Sequence, residues 1–224
     1  MSYVGEPFRH DLFVSYSHGS DAEGDPKLKD WSVALVRALE EELRADRDLR
    51  NTLSLFIDAH DRPGQRLDPL LPLTDQLEAQ VGAAALLLVL LTPDYQASRW
   101  CADERRWWWA QQQKLGLNPV GRIAMLRAWP VEAADWPDQR WPAELADHAG
   151  EPLLGFPFHA GSGRAARPLG WTQWSTGFGP EVREALLGLA AELYRALDQA
   201  KADAGRLQAR QADVQRLAAG DGQT

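Results

Sequence analysis

The residues from 98 to 104, Ser-Arg-Trp-Cys-Ala-Asp-Glu, include a carboxylate and a large aromatic at a spacing that permits joint chemistry. Trp100 and Glu104 are four residues apart, so on a helix both side chains project from one face. Burial beside Trp100 would disfavour the charged form of Glu104, whereas a helix N-terminus would favour it. A carboxylate tuned in this way can stabilise positive charge or handle a proton. The alternative is structural, with Glu104 as a first-turn helix acid and Trp100 as part of the core.

The elements that must position this stretch alternate between strand and helix. Short apolar runs at residues 11–16, 52–57, 84–91 and 122–129 predict four buried strands. Between them, an apolar stripe from Leu28 to Leu43 predicts a helix that ends near Arg47, and residues 70–81 permit a second. Thr92, a candidate N-cap, and Pro93 at the first helical position start the region in which residues 98–104 open a helix. This alternation predicts an α/β fold with a parallel sheet and helices on both faces.

Sites in such folds lie outside the carboxyl ends of the strands. The loops that begin at Ser17 and Asp58, and the approach to Trp100, all follow predicted strands. We therefore expect these three segments to converge at one edge of the sheet.

The segment of residues 130–174, which we call the Trp/Pro segment, lacks clear periodicity and is rich in Trp, Pro and Gly. It predicts long connections with one short strand at residues 153–158. We expect its tryptophans to pack at the sheet edge or under a loop, or in part to mark a partner surface; with the neighbouring Trp129 they are Trp129, Trp136, Trp141, Trp171 and Trp174. Residues 161–166 match a dinucleotide-binding glycine pattern in letters only, because Arg167-Pro168 follows instead of a helix.

A last helix is predicted after Gly179, with Pro180 at its first position. Its apolar stripe consists of Val182, Leu186, Leu189, Leu193 and Leu197. Beyond Ala200 the stripe thins, which indicates a fraying helix or a tether to another protein, and residues 220–224 are disordered by composition. We therefore expect one domain over residues 1–200 and a helical or disordered tail over residues 201–224.

Composition excludes several classes of protein. The chain has 224 residues, of which 45% are hydrophobic, so it can bury a core, but no apolar run is long enough to span a bilayer. The single cysteine, Cys101, cannot form an internal disulfide and fits a reducing, cytoplasmic compartment. A formal net charge of -8 argues against direct nucleic-acid binding. The five histidines are scattered, so no metal site is expected.

Three motifs in this order resemble the TIR (Toll/interleukin-1 receptor) domain family, of the bacterial kind. Residues 11–17, Asp-Leu-Phe-Val-Ser-Tyr-Ser, resemble its first-strand motif. Residues 55–58 followed by 61–64, Asp-Arg-Pro-Gly, resemble its second strand and BB loop, although the loop departs from the full family form. Residues 98–104 resemble the Ser-x-Trp-Cys-x-x-Glu signature of enzymatic members. The family's Phe-Trp pair before the last helix is absent, and Trp171 and Trp174 replace it loosely.

The resemblance implies a flavodoxin-like sheet of about five parallel strands. It also implies an activity, cleavage of the bond between nicotinamide and ribose in NAD+, with NAD+ as substrate and no cofactor. Glu104 then occupies the position of the catalytic glutamate, and Trp100 packs beside the substrate. The remaining residues implied to bind substrate are Tyr16, Ser17, His18, Asp58 and Arg62, of which Arg62 is the candidate for a phosphate contact.

The resemblance also implies partners and a setting. TIR domains commonly self-associate, and we expect at least one of Trp107, Trp108 and Trp109 to be exposed as an assembly surface. A sensor domain or partner protein reached through the tail, and a role in bacterial antiphage defence or signalling, are further expectations. Cys101 is a weak candidate nucleophile, because no histidine is in register with it. Two other functions stay open: a non-catalytic TIR scaffold, and a nucleotide-binding flavodoxin-type module outside the family, which the lack of a glycine-rich first loop disfavours.

Overall fold

A parallel sheet of five strands organises the protein. The computed structural model describes residues 2–18, 26–58, 67–68 and 70–220. The strand order is β2-β1-β3-β4-β5, and every adjacent pair is parallel. The strands are β1 (His10–Ser15), β2 (Leu55–Ile57), β3 (Ala84–Leu91), β4 (Ile123–Arg127) and β5 (Phe156–Pro157). The order 2-1-3-4-5 is that of flavodoxin-like folds, which confirms the predicted fold class.

Five helices surround the sheet in the described part of the chain. They are α1 (Pro26–Ala45), α2 (Leu73–Gly82), α3 (Pro93–Ala97), α4 (Arg99–Lys114) and α5 (Pro180–Gly220). The Trp/Pro segment contributes short 3-10 turns at Ala133–Asp135, Ala143–Leu145 and Gly163–Ala165. Two short strands, β6 (His159–Ala160) and β7 (Arg167–Pro168), pair antiparallel, so residues 161–166 form no helix of the dinucleotide-binding kind.

Alternate residues of each strand face opposite cores, as the period of two requires. Leu12 and Val14 of β1 pack in the core formed with α1 and α5, whereas Phe13 packs in the core that holds Val81 of α2 and Trp108 of α4. This arrangement explains why β3 is apolar throughout: both of its faces are covered. The run predicted at residues 84–91 is therefore confirmed to the residue.

Some predicted boundaries move for identifiable reasons. The second strand begins at Leu55 rather than 52, because the Thr52 amide bonds to Leu49 in a turn and the Ser54 amide bonds to the buried carboxylate of Asp11. The second helix begins after Pro72, whose extended ψ of 128° is incompatible with helix. The strand expected at residues 153–158 is only Phe156–Pro157.

The predicted cap at Thr92 is present, and the structure adds a second cap at Ser98. The Thr92 hydroxyl accepts from the Tyr95 amide at 3.1 Å and caps α3, with Pro93 at its first position. The Ser98 hydroxyl accepts from the Cys101 amide at 3.3 Å and caps α4. These caps fix where α4 starts, and therefore where Glu104 lies relative to the sheet.

The tryptophans of the Trp/Pro segment pack against the two hydrophobic cores. Trp171 contacts Trp31 and Trp129 through ring centroids 6.3 and 5.8 Å away. The triple tryptophan of α4 behaves differently from our expectation that one would be exposed: Trp108 is fully buried, and both Trp107 and Trp109 are partly buried against the core. The reason is that α4 lies under α2 and the Trp/Pro segment as well as against the sheet.

The last helix, α5, buries its predicted stripe and extends through Gly220. Arg122, next to the start of β4, forms an ion pair with Asp203, which anchors α5 beyond Ala200. Disorder was expected for residues 220–224, but Gly220 is the last residue of α5, and residues 221–224 lie outside the described residues. Over the described residues, none of the helices combines the length and apolar composition that crossing a lipid bilayer requires.

Candidate active site

The carboxyl end of the sheet carries a cavity of about 270 Å³. The segments after β1 and β2 and the first turns of α4 form its walls, so the three segments expected to converge do so. Its lining includes Tyr16, Ser17, His18, Asp58, Leu73, Leu77, Ser98, Trp100, Cys101 and Glu104. Larger grooves lie between β4 and α5 and beside Arg105, but Glu104 lines neither of them.

Glu104 lies at the floor of this cavity and is only 7% exposed. The Ser15 hydroxyl, at the carboxyl end of β1, donates to Glu104 Oε2 at 2.5 Å. The hydroxyls of Ser15 and Tyr95 are 3.0 Å apart. Because the Ser15 proton is directed to Glu104, Tyr95 is the donor in that second bond. Strand β1 and helix α3 thus hold one oxygen of the Glu104 carboxylate in place.

Burial raises the pKa of Glu104 from 4.5 to about 8. The Ser15 hydrogen bond opposes this rise, since it stabilises the ionised form, while the nearby Asp58 carboxylate adds to it. Glu104 therefore changes charge near neutral pH rather than in acid. A carboxyl group of this kind suits a site that must either transfer a proton or respond to an arriving cation.

The residues after β1 form one wall of the cavity. The Tyr16 hydroxyl donates to the Asp58 carbonyl oxygen at 2.8 Å, which joins the ends of β1 and β2. The Tyr16 ring lies 4.8 Å from the His18 ring, centroid to centroid. Ser17 is buried and lines the same cavity. The structure thus brings together Tyr16, Ser17, His18 and Asp58.

Trp100 stands at the mouth of the cavity with 46% of its surface exposed. The structural alternative, in which Trp100 belongs to the core, is therefore wrong. Three more exposed apolar side chains, Leu70, Leu71 and Leu73, precede or begin α2, and Leu73 shares the cavity with Trp100.

The sequence also suggested Cys101 as a weak candidate nucleophile and Arg62 as a phosphate contact. Cys101 is 2% exposed, and burial raises the pKa of its thiol, so it is not an activated thiolate nucleophile. Arg62, the candidate phosphate contact, and the adjoining residues 61–64 lie outside the described residues.

Sequence reasoning missed Ser15 and Tyr95. The available signal was the alternation of β1: Phe13 and Ser15 share the face that packs against α4, whereas Val14 and Tyr16 face the opposite core. Ser15 ends β1 on the face that packs against α4, so its hydroxyl can reach the Glu104 carboxylate on that helix. Tyr95 carried no such signal, because its role depends on where α3 packs.

No family model matches this chain, and no curated protein matches it. Among solved structures, the chain is similar to the TIR domains in the structure of the activated Roq1 resistosome directly recognizing the pathogen effector XopQ. The match covers 87% of this chain and 98% of that chain, with a TM-score of 0.38 and 15% sequence identity.

Proposed function

We propose that this chain is a TIR-type NAD+ nucleosidase, which cleaves the bond between nicotinamide and ribose. One observation carries the proposal: a buried carboxylate, Glu104, held by Ser15 at the floor of a cavity at the carboxyl end of the sheet. The ordered motifs at residues 11–17, 55–58 and 98–104 support it, because their described residues Ser17, Asp58, Trp100 and Glu104 line this same cavity.

The chemistry needs little more than a placed negative charge. Nicotinamide in NAD+ is cationic and leaves as a neutral molecule, so its departure requires no general acid. Positive charge develops on the ribose as the bond breaks, and a fixed carboxylate stabilises charge that exists only in the transition state. Release to water yields ADP-ribose, and capture by another atom of the same molecule yields a cyclic ADP-ribose.

The raised pKa of Glu104 fits this substrate. Before substrate binds, burial favours the protonated form near neutral pH. An arriving pyridinium cation attracts the ionised form, so binding releases a proton and creates the charge where it is used. The Ser15 hydrogen bond already favours that state.

The other residues have roles consistent with the cavity's size. At about 270 Å³ it is near the lower end of small-molecule sites, which are ~300–1,000 Å³. We propose that it takes nicotinamide and its ribose, with Trp100 packing at the mouth and Tyr16, Ser17, His18 and Asp58 along the wall. Arg62 would then contact the phosphates of the remaining dinucleotide.

Self-association is part of the proposal. Leu73 and Trp100 line the cavity and are exposed, and the exposed Leu70 and Leu71 directly precede α2. We propose that these four side chains form an apolar rim, which a neighbouring copy can cover. We propose that assembly activates the enzyme and that a sensor domain or partner acts through the tail beyond residue 200. The setting we propose is bacterial antiphage defence or signalling.

The test is nicotinamide release from NAD+ by the purified chain, in dilute solution and under crowding that forces assembly. Glu104→Gln keeps the acceptor for Ser15 but removes the negative charge, and we expect release to fall at least ~100-fold with folding unchanged. The matched control, Glu184→Gln, removes an exposed carboxylate of α5 and should leave turnover unchanged. Equal turnover by wild type and Glu104→Gln would overturn the catalytic role.

A non-catalytic scaffold is the second candidate, and the apolar rim favours it as much as the enzyme. The two differ in what the rim does. In a scaffold, replacing Leu71 with Asp abolishes association and no nicotinamide is released by any variant. In an enzyme activated by assembly, the same replacement abolishes both.

A further inference from the structure

A second groove, of about 760 Å³, lies on the other side of α4 from Glu104. Helices α3 and α4 form one wall, and the Trp/Pro segment forms the other. Its lining includes Gln96, Arg105, Trp136, Trp141, Glu144 and His148. None of these residues lines the Glu104 cavity.

Arg105 is the central residue of this groove, because it is 5% exposed yet its guanidinium forms no ion pair with any described carboxylate. Its Nη1 donates to the Cys101 carbonyl oxygen at 3.3 Å, and its Cζ lies 5.3 Å from the centroids of both the Tyr95 and the Trp136 ring. The stack continues through Trp141, 5.4 Å from Trp136, to Arg127. Aromatic faces stabilise a cation but supply no hydrogen-bond acceptor in the ring plane.

Three buried hydrogen-bond donors in this groove have no acceptor among the described residues. They are Gln96 Nε2, Arg105 Nε and Trp136 Nε1. Gln96, Arg105 and Trp136 are 7%, 5% and 4% exposed, respectively. A buried donor without an acceptor is costly, and the three residues that carry these donors line one groove. A ligand that satisfied them would supply acceptor oxygens.

We propose that this groove binds a small molecule through an anionic group, a carboxylate or a phosphate. The oxygens of that group accept hydrogen bonds from Gln96, Arg105 and Trp136, and its charge pairs with Arg105. The rim does not select for an anion by itself, because Arg106 and Arg140 face three carboxylates, Asp138, Glu144 and Asp147. Of these, Glu144 lies close enough to act electrostatically on Arg105. Selection comes from the buried donors.

Entry requires a small movement, because the three donor atoms are shielded from solvent. For entry, Trp136 must tilt away from the core cluster that it shares with Phe13 and Trp108. Its indole N–H has no partner among the described residues, and its ring also contacts Trp141 and Arg105. Tilting this ring exposes Arg105 without breaking a hydrogen bond of the indole.

The experiment measures anion binding by calorimetry and thermal unfolding at constant ionic strength. Sodium pyrophosphate probes the phosphate source and sodium malonate the carboxylate source, with sodium chloride as reference. We expect one of the two anions to bind saturably with a Kd of about 1 mM or tighter and to raise the Tm. The anion that binds shows whether the groove recognises a phosphate or a carboxylate group.

Variants localise the binding. Trp136→Phe removes the N–H and keeps a ring, and Gln96→Met removes the amide and keeps the length. Each should weaken binding about fivefold or more. Without anion, Gln96→Met should leave stability unchanged or higher, because an unpartnered donor has been removed, whereas Trp136→Phe also loses buried ring volume. Gln113→Met, an exposed change on α4, is the control and should bind normally.

Three results would overturn the proposal. The first is that neither anion binds with a Kd below about 10 mM, and the second is that binding is equal in wild type, Trp136→Phe and Gln96→Met. The third is that Gln96→Met loses stability without anion, which would mean that its amide already has a partner such as ordered water. Binding should persist in Glu104→Gln, so the outcome is independent of the catalytic proposal.

Discussion

Replacing Glu104 with Gln should change how the stability of the protein depends on pH. Burial raises the pKa of Glu104 from 4.5 to about 8 in the folded chain, whereas the unfolded chain ionises near the ordinary value. Between these two values the unfolded state binds fewer protons, so the free energy of unfolding falls as pH rises. The stability from a neutral buried Glu104 is complete below pH 4.5 and is lost as pH rises to about 8.

The magnitude follows from the same shift. Each pH unit between the two pKa values corresponds to ~1.4 kcal/mol. For a rise from 4.5 to about 8, the loss is at most about 5 kcal/mol, because water entry and movement of the cavity wall reduce it. The amide introduced by Glu104→Gln does not ionise and keeps the shape of the side chain. The variant should therefore be more stable than wild type in mild alkali and closer to it in mild acid.

Urea unfolding at about pH 5 and about pH 9, followed by tryptophan fluorescence and far-UV circular dichroism, measures this difference. Other carboxylates titrate in both proteins, so the quantity of interest is the variant minus wild type at each pH. Glu184→Gln, an exposed change on α5, should show the same difference from wild type at both pH values. If Glu104→Gln also shows the same difference at both, Glu104 is not a buried carboxyl group with a raised pKa.

Further outcomes are expected at four other positions. Without the Ser15 hydrogen bond the pKa of Glu104 rises further. In the pH profile of kcat/KM, the rise in activity expected near pH 8 should therefore move to higher pH in Ser15→Ala. An unchanged profile would contradict the contact between Ser15 and Glu104. Tyr95→Phe should shift the same rise in activity by less, because Tyr95 acts on Glu104 only through Ser15. Cys101 should resist alkylation in the native protein at mildly alkaline pH and react after unfolding, since burial raises its pKa; rapid native labelling would refute this. Trp108→Ala should cost ~3–5 kcal/mol in urea unfolding, because Trp108 is fully buried and its indole N–H donates to the Ala84 carbonyl; a loss below ~1 kcal/mol would contradict that packing.

Local sequence accounts well for the elements and their caps. The apolar run Ala84–Leu91 could only be a strand covered on both faces, and the structure has it with those bounds. Thr92 and Ser98 cap their helices through bonds to amides three residues ahead, and Pro93 suits the first helical position, so short sequence spacing describes both features. The burial of the α5 stripe follows from helical periodicity in the same way.

The sequence was less informative where burial depends on several elements at once. Trp107 and Trp109 are partly covered because α4 contacts α2 and the Trp/Pro segment as well as the sheet, which periodicity along one helix does not describe. Trp100 remains exposed although it is a large aromatic on the same helix, because the cavity opens at its position.

What the sequence determined by itself is the α/β alternation, the helix caps, and the choice of Glu104 as the residue to examine. These rest on neighbours within one or two turns of helix or strand. Only the tertiary structure decided which groups act on Glu104. Ser15, which donates to Glu104, is 89 positions away in sequence. The same holds for Arg105 at the next position of the helix, since the Tyr95 and Trp136 rings that contact it come from different elements. Such contacts, and the burial that raises the pKa of Glu104, depend on the distances between packed elements, which no local spacing encodes.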